Sequence, residues 1–318
     1  MNTWFGKSGL WVVALAAALP GLSNAQQSHQ PSAQWQLADE QQFFFDKVGS
    51  PFNGIFRTQG IATDGQQWFF SWQYGLESAD EQFKSTRLKA EDIPLNLLLR
   101  HLDHIGDFDY HDGILYASLD STNGFNDGHV ALYNASDLSF TGVSYALTGA
   151  PTNPKHDIAS WVAVDPNGNF GYGKEFQLGN TINIYRLSDW SFVGVATLDL
   201  ALERIQGAKV QGDWLYMSSD NDTKTVYRGN LRTGHVEELF SLPDPDPNGR
   251  REVEGIAVRN ARQICEEQQA QQPQRDCTRL AADAVDLYVE MVVDPDRSGN
   301  TLFNPNIHVS LYHYEAQP

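Results

Sequence analysis

The chain is poor in positive charge, in long apolar runs and in cysteine, and each shortage removes a class of function. Lys and Arg number 22 against 40 Asp and Glu, which leaves a formal net charge of −18 and a pI near 4.7. Nucleic-acid binding needs clustered Lys and Arg to meet phosphates, so no nucleic-acid partner is expected. An acidic surface suits metal cations or neutral ligands instead. The apolar run Leu10–Leu19 falls short of the roughly 20 residues that a membrane span needs. The Gly-x-Ser-x-Gly nucleophile elbow, the His-Glu-x-x-His zinc motif and the phosphate loop are all absent from the sequence.

The N-terminal stretch reads as an export signal. Lys7 supplies positive charge, Leu10–Leu19 the apolar segment, Pro20-Gly21 a helix break, and Ser23-Asn24-Ala25 small residues for cleavage. Residues 1–25 are therefore expected to be removed, leaving a chain that begins near Gln26 in the periplasm or outside the cell. A membrane anchor is the alternative that the shortness of the run disfavours. The only cysteines, Cys265 and Cys277, flank a Gln-rich stretch. In an oxidising compartment they are expected to pair and close an insertion at 261–283, for about 3 kcal/mol by loop entropy. Two free thiols are the alternative.

What is abundant points to an all-β fold. Hydrophobic residues make up 41%, enough for a large core, and 26 Gly and 8 Trp suit many short strands joined by tight turns. An internal repeat orders them. Tyr133-Asn-Ala-Ser-Asp-Leu-Ser-Phe-Thr-Gly-Val143 returns 52 positions later as Tyr185-Arg-Leu-Ser-Asp-Trp-Ser-Phe-Val-Gly-Val195, with seven of eleven residues identical. A recurrence at that spacing is the mark of a propeller or a solenoid. Five stretches share one plan, a short apolar strand, a turn and an aromatic strand, with first strands at Gln59–Thr63, Asp107–Tyr110, Trp161–Val164, Ala208–Val210 and Gly255–Val258. Asp64-Gly65, Asp112-Gly113 and Asn167-Gly168 supply the positive φ that tight hairpins require. Third and fourth strands follow in most units. In the first unit they are blurred across Phe83–Leu99, and the fifth unit stops at its third strand. The strand within Gln34–Phe45 is left over at the other end and is expected to close the ring. The expected fold is a five-bladed β-propeller over 26–318. A sixth blade within Gln34–Phe56, and a β-sandwich, are the alternatives.

In a propeller the segments leading into each first strand, and the loops between second and third strands, open on one face. Here the lead-in segments are polar: Arg57 and Gln59; His101, His104 and Asp107; His156 and Asp157; Glu203 and Gln206; Arg251, Glu252 and Glu254. The loops add Asp120, Glu175 and Asp220. Three chemistries follow. His104 with Asp107, and His156 with Asp157, can act as general bases, each His held in one tautomer by its carboxylate. Glu252 and Glu254 with Asp107 can hold Ca²⁺. Arg57, Gln59, Asp157, Glu203, Gln206 and Arg251 can bind a ligand. Structural hydrogen bonds in the channel, and pairing of the acids with Arg57, Arg204 and Arg251, are the competing readings. Asp120–Gly128 is rich in oxygen donors but lacks EF-hand spacing, and reads as a solvated turn.

Gln59-Gly-Ile-Ala-Thr-Asp-Gly65 and Glu254-Gly-Ile-Ala257 resemble blade starts of secreted propellers of the gluconolactonase and paraoxonase group and of phytase-like esterase propellers. The resemblance implies a channel Ca²⁺ held by Glu254, with His104 and His156 as the paired histidines above it. The resulting expectation is an exported, monomeric hydrolase of a small ester, lactone or phosphoester, with no membrane attachment after signal removal. A non-catalytic propeller that binds a sugar, peptide or metabolite is the alternative, as is an interaction scaffold.

Overall fold

The computed structural model describes residues 35–45, 54–122, 128–151, 158–243, 249–269, 276–281, 283–295 and 306–316. The expected signal at 1–25 lies outside them, as do His156 and Asp157. The described residues form a five-bladed β-propeller, five four-stranded antiparallel sheets. The chain opens with β1 (Trp35–Phe44). Blade one is β2 (Gly60–Thr63), β3 (Trp68–Trp72), β4 (Gly75–Ala79) and β5 (Ser85–Lys89). Blade two is β6 (His104–His111), β7 (Ile114–Asp120), β8 (His129–Asn134) and β9 (Phe140–Ala146). Blade three is β10 (Ala163–Val164), β11 (Phe170–Gly173), β12 (Gly179–Arg186) and β13 (Phe192–Leu202). Blade four is β14 (Ile205–Gln211), β15 (Trp214–Ser219), β16 (Thr225–Asn230) and β17 (Val236–Ser241). Blade five is β18 (Arg250–Asn260), β19 (Val285–Asp294) and β20 (His308–Ala316), with β1 as its outer strand. The expected closure is therefore present, with Phe43 opposite Val309 and Trp35 opposite Ala316.

Local chemistry explains the repeat. In blades two and three, Asp137 and Asp189 each accept from the amide and hydroxyl of a Ser two residues on. Leu138 and Trp190 take left-handed φ of 60° and 51° at matching positions. Blade four repeats the turn with Gly234, at φ 79°, in that place. The glycine has no Cβ penalty there, so the turn persists without the Ser-Asp signature. Asp112 and Gly113 both have positive φ, as a two-residue hairpin demands, and join His111 to Ile114.

The core lies between blades. Five clusters fill the five interfaces, among them Phe69, Leu102 and Phe108 between blades one and two, and Phe43, Phe70 and Leu311 between blades five and one. Each such buried side chain contributes about 1.5–3 kcal/mol. Blade one departs from expectation. Its third strand, β4, follows β3 after only Gln73-Tyr74, β5 comes next, and Leu95–Leu98 is a helical turn, α1. The sequence Gly75-Leu-Glu-Ser-Ala79 has little intrinsic strand preference, and complete burial supplies what propensity lacks. Between β18 and β19 sits the expected insertion. It carries helix α2 (Ala261–Gln269), whose Gln263 amide donates to Asn260 Oδ1, and the Cys265–Cys277 disulfide.

Candidate functional site

The inner strands meet at the axis through glycines. A Cβ on Gly60 would lie 2.6 Å from Asp107 Cα, one on Gly255 2.6 Å from Gly60 Cα, one on Gly207 2.7 Å from the Ile256 amide, and one on Gly106 2.1 Å from the Ser160 carbonyl oxygen. Only glycine permits that approach. β-Bulges at Gly106–Asp107, Gln206 and Glu254–Gly255 bend three of the inner strands at this level.

Asp107 closes the centre. It is fully buried, and its carboxylate accepts from the Ile61 and Ala208 amides at 3.1 Å each and from Lys209 Nζ at 2.7 Å. Burial pushes its pKa up to about 7 against the pull of Lys209. The inner strands thus close on Asp107 at the axis, where Gly60, Gly207 and Gly255 crowd around it.

A pocket at the mouth, about 370 Å³, is lined by Gln59, His104, Gln206, Glu252 and Glu254 from lead-in segments, together with Ser160. Asp120, Ser121, Thr122, Phe176 and Gln177 come from loops between second and third strands. Segments from all five blades converge, as propeller geometry requires. Lys174, 1% exposed, fixes one of these loops by donating from Nζ to the Glu175 and Gln177 carbonyls at 2.8 and 2.9 Å. Burial lowers its pKa to about 8.

The histidine pair differs from expectation. His104 bonds through Nδ1 to Asp120 Oδ1 at 2.7 Å, not to Asp107. His104 and Asp120 are directly opposite on β6 and β7, so their side chains share a face. Asp107 lies in the bulge itself, and its carboxylate turns to the Ile61 and Ala208 amides at the axis. Glu254 is 3% exposed within the pocket lining. Burial, then the charges of Glu252, Asp220, Glu290 and Asp107, push its pKa well above the ordinary carboxylate range. The pocket therefore sets a carboxylate-oriented imidazole and a carboxyl group with a raised pKa on one lining.

Other expected ligands lie elsewhere. Arg57 is fully buried, bonded to both Glu77 oxygens at 2.8 and 2.9 Å and sandwiched between the Phe43 and Phe70 rings. Glu203 is exposed and Arg251 half-buried, and neither lines the pocket. Arg204 pairs with Asp220, Glu252 with Arg250 at 3.4 Å and Asp107 with Lys209, so the acids and arginines of the competing reading take other partners.

Of the calcium donors expected at the mouth, Asp107 is engaged by Lys209 and two amides, and Glu252, Glu254 and Asp107 are not among the described groups whose ligand atoms converge within 4.8 Å. The group of described residues able to hold a metal ion is Asp286, His313 and Glu315. Nothing in their sequence spacing marks it, because the strand register of β19 and β20 creates it.

A larger recess, about 470 Å³, runs along the flank between blades five and one and is lined by Trp68, Phe83, Arg259, Tyr288 and His313 among others. Its histidine, His313, faces Asp286 Oδ2 at 3.3 Å, a longer contact than the 2.7 Å of His104 and Asp120 at the mouth. Among known families, no family model matches the chain, and no curated protein matches it in sequence. The five-bladed propeller rests on the structure itself, and the likeness to lactonase and esterase propellers rests on the blade starts alone.

Proposed function

We propose that the mouth pocket hydrolyses a small uncharged ester or lactone. The observation that carries the reading is the His104–Asp120 pair, 2.7 Å apart, in the same lining as the buried Glu254, whose pKa burial raises. Asp120 accepts the Nδ1 proton, which leaves a lone pair on His104 Nε2. That nitrogen takes a proton from water as the water oxygen attacks the carbonyl carbon. Glu254 gives its proton to the departing alkoxide oxygen, and its raised pKa keeps that proton available at neutral pH. A phosphoester is the weaker substrate class, because the described lining residues include no Lys or Arg to meet its charge. No step is routed through calcium. The N-terminal stretch supports action after export.

A panel of neutral esters and lactones tests the proposal, with Asp120→Asn as control. Turnover that falls at least about 100-fold in the variant with KM little changed supports it. Absence of turnover across the panel removes it. A second reading, binding without chemistry, draws on Gln59, Gln177 and Gln206 beside Phe176, an amide and aromatic lining suited to a sugar-like polyol. Saturable polyol binding without ester turnover selects that reading.

A further inference from the structure

We propose that Asp286, His313 and Glu315 bind a divalent transition-metal ion of the zinc type, which ties β19 to β20 in the closing blade. The site is independent of the mouth. Glu252 pairs with Val292 near one end of β19, whereas Asp286 lies six residues away, opposite Arg259. At strand rise that is about 20 Å.

Register carries the argument. Asp286 stands directly opposite Glu315, and His313 directly opposite Tyr288 in the next pair on the same face. Two carboxylates directly opposite each other across an antiparallel pair repel, so this arrangement calls for a cation between them. Asp286 is buried at 5% exposure, which sharpens the demand. Nearby Asp39 and Glu267 line the same flank recess and add negative charge. Arg259, which also lines the recess, already donates to the Gly65 carbonyl at 2.9 Å and lies 3.8 Å from Glu267.

Distances point the same way. His313 Nε2 lies 3.3 Å from Asp286 Oδ2, whereas two other His–Asp contacts among the described residues, His104–Asp120 and His235–Asp199, close to 2.7 and 2.9 Å. A charge-assisted hydrogen bond prefers the shorter value. Two donors on one tetrahedral zinc, at bond lengths of about 2.0–2.1 Å, stand roughly 3.3–3.5 Å apart. All three ligand atoms lie within 4.8 Å of one another. The His313 ring is held by stacking on Tyr288, centroids 4.3 Å apart at 5°, which fixes the direction of Nε2. One imidazole with two carboxylates favours Zn²⁺, Co²⁺ or Ni²⁺ over the oxygen-seeking Ca²⁺. Three protein donors leave at least one position for water, and His313 itself lines the recess.

Both cysteines are tied in the disulfide, so no thiolate competes for the ion. The test uses tag-free, EDTA-stripped full-length protein, titrated by calorimetry with Zn²⁺, Co²⁺ and Ca²⁺ in turn. The expected result is one equivalent of Zn²⁺ bound, Co²⁺ absorption in the visible range, and a thermal midpoint raised by Zn²⁺. Asp286→Asn and the half-buried Glu315→Gln are each expected to weaken Zn²⁺ binding more than about tenfold. Glu315→Gln keeps the test open if Asp286→Asn misfolds. Failure to bind stoichiometric Zn²⁺, equal affinity in wild type and Glu315→Gln, or a preference for Ca²⁺ overturns the proposal. Ester turnover at the mouth is unaffected in either case, so the two readings fail separately.

Discussion

Lys209 Nζ reaches Asp107 Oδ2 at 2.7 Å across 102 positions of sequence, and the pair sits where the inner strands of the ring meet. The Ala208 amide donates to the same oxygen and the Ile61 amide to the other, so blades one, two and four share a single acceptor. Removing one partner of a buried pair strands the other, at a cost of about 3–5 kcal/mol. Lys209→Met is expected to lose that much by urea unfolding. The loss should be larger at pH 8 than at pH 5, since an unpaired Asp107 escapes the penalty by taking up a proton. Equal losses at both pH values would refute this account.

The mouth offers a prediction that a purely structural role does not share. Asp120→Asn replaces an acceptor of the His104 Nδ1 proton with an amide that can present its donor, which favours the wrong tautomer. Ester kcat is expected to fall about 100-fold or more, with the thermal midpoint changed by no more than a few degrees. Kinetics and thermal melting on the same sample decide it. A parallel collapse of both would make the pair a structural brace.

Glu290 is fully buried, with neither carboxylate oxygen hydrogen-bonded. It occupies on β19 the place that Ser71 and Ser218 hold on β3 and β15, where each hydroxyl donates to an inner-strand carbonyl of the next blade. Burial and the Asp107 charge push its pKa well up. The folded state therefore holds its proton to higher pH than the unfolded chain does. Stability is full below about pH 4.3 and declines as pH rises toward the folded value. Glu290→Gln should flatten that decline and add about 1–3 kcal/mol at pH 8 relative to its effect at about pH 4, below which the decline has not begun. Urea midpoints across that range check it, and a variant as pH-sensitive as the wild type would contradict it.

Lys174→Met removes the donor that ties the Glu175 and Gln177 carbonyls together. Phe176 and Gln177 then lose their fixed place in the pocket lining. The expected effect on the proposed reaction is a KM raised several-fold with kcat reduced less, since this loop positions substrate and carries no proton. Steady-state kinetics separate the two parameters, and a change in kcat alone would speak against the assignment.

The ring was legible because its turns are written in side chains. Asp112-Gly113 and the two Ser-Asp turns announce themselves, and blade membership follows from their spacing. β4 was not legible, because Gly75-Leu-Glu-Ser-Ala79 becomes a strand only through burial between its neighbours. At the site, Gln59, His104, Gln206, Glu252 and Glu254 followed from one topological rule about which segments share a face. Their pairings did not. A bulge decides that Asp107 turns to the axis while His104 meets Asp120, and no residue in the sequence marks a bulge in advance. Arg57 looked like a ligand because it is charged beside a blade start, yet Phe43, Phe70 and Glu77, drawn from three strands, enclose it. Asp286, His313 and Glu315 depend on the register of two strands separated in the chain, which spacing alone does not disclose.

The pairing of β1 with β20 has a consequence in time. Glu40 meets Ser310 across 270 positions, so the outer edge of blade five waits for a partner made long after it during synthesis. Four blades can assemble from consecutive hairpins as the chain emerges, whereas the fifth depends on two distant segments finding each other. Such long-range closure is a slow event in folding. The same join that delays maturation holds the finished ring as one cooperative unit, because no blade can leave it without opening the seam or tearing a neighbour.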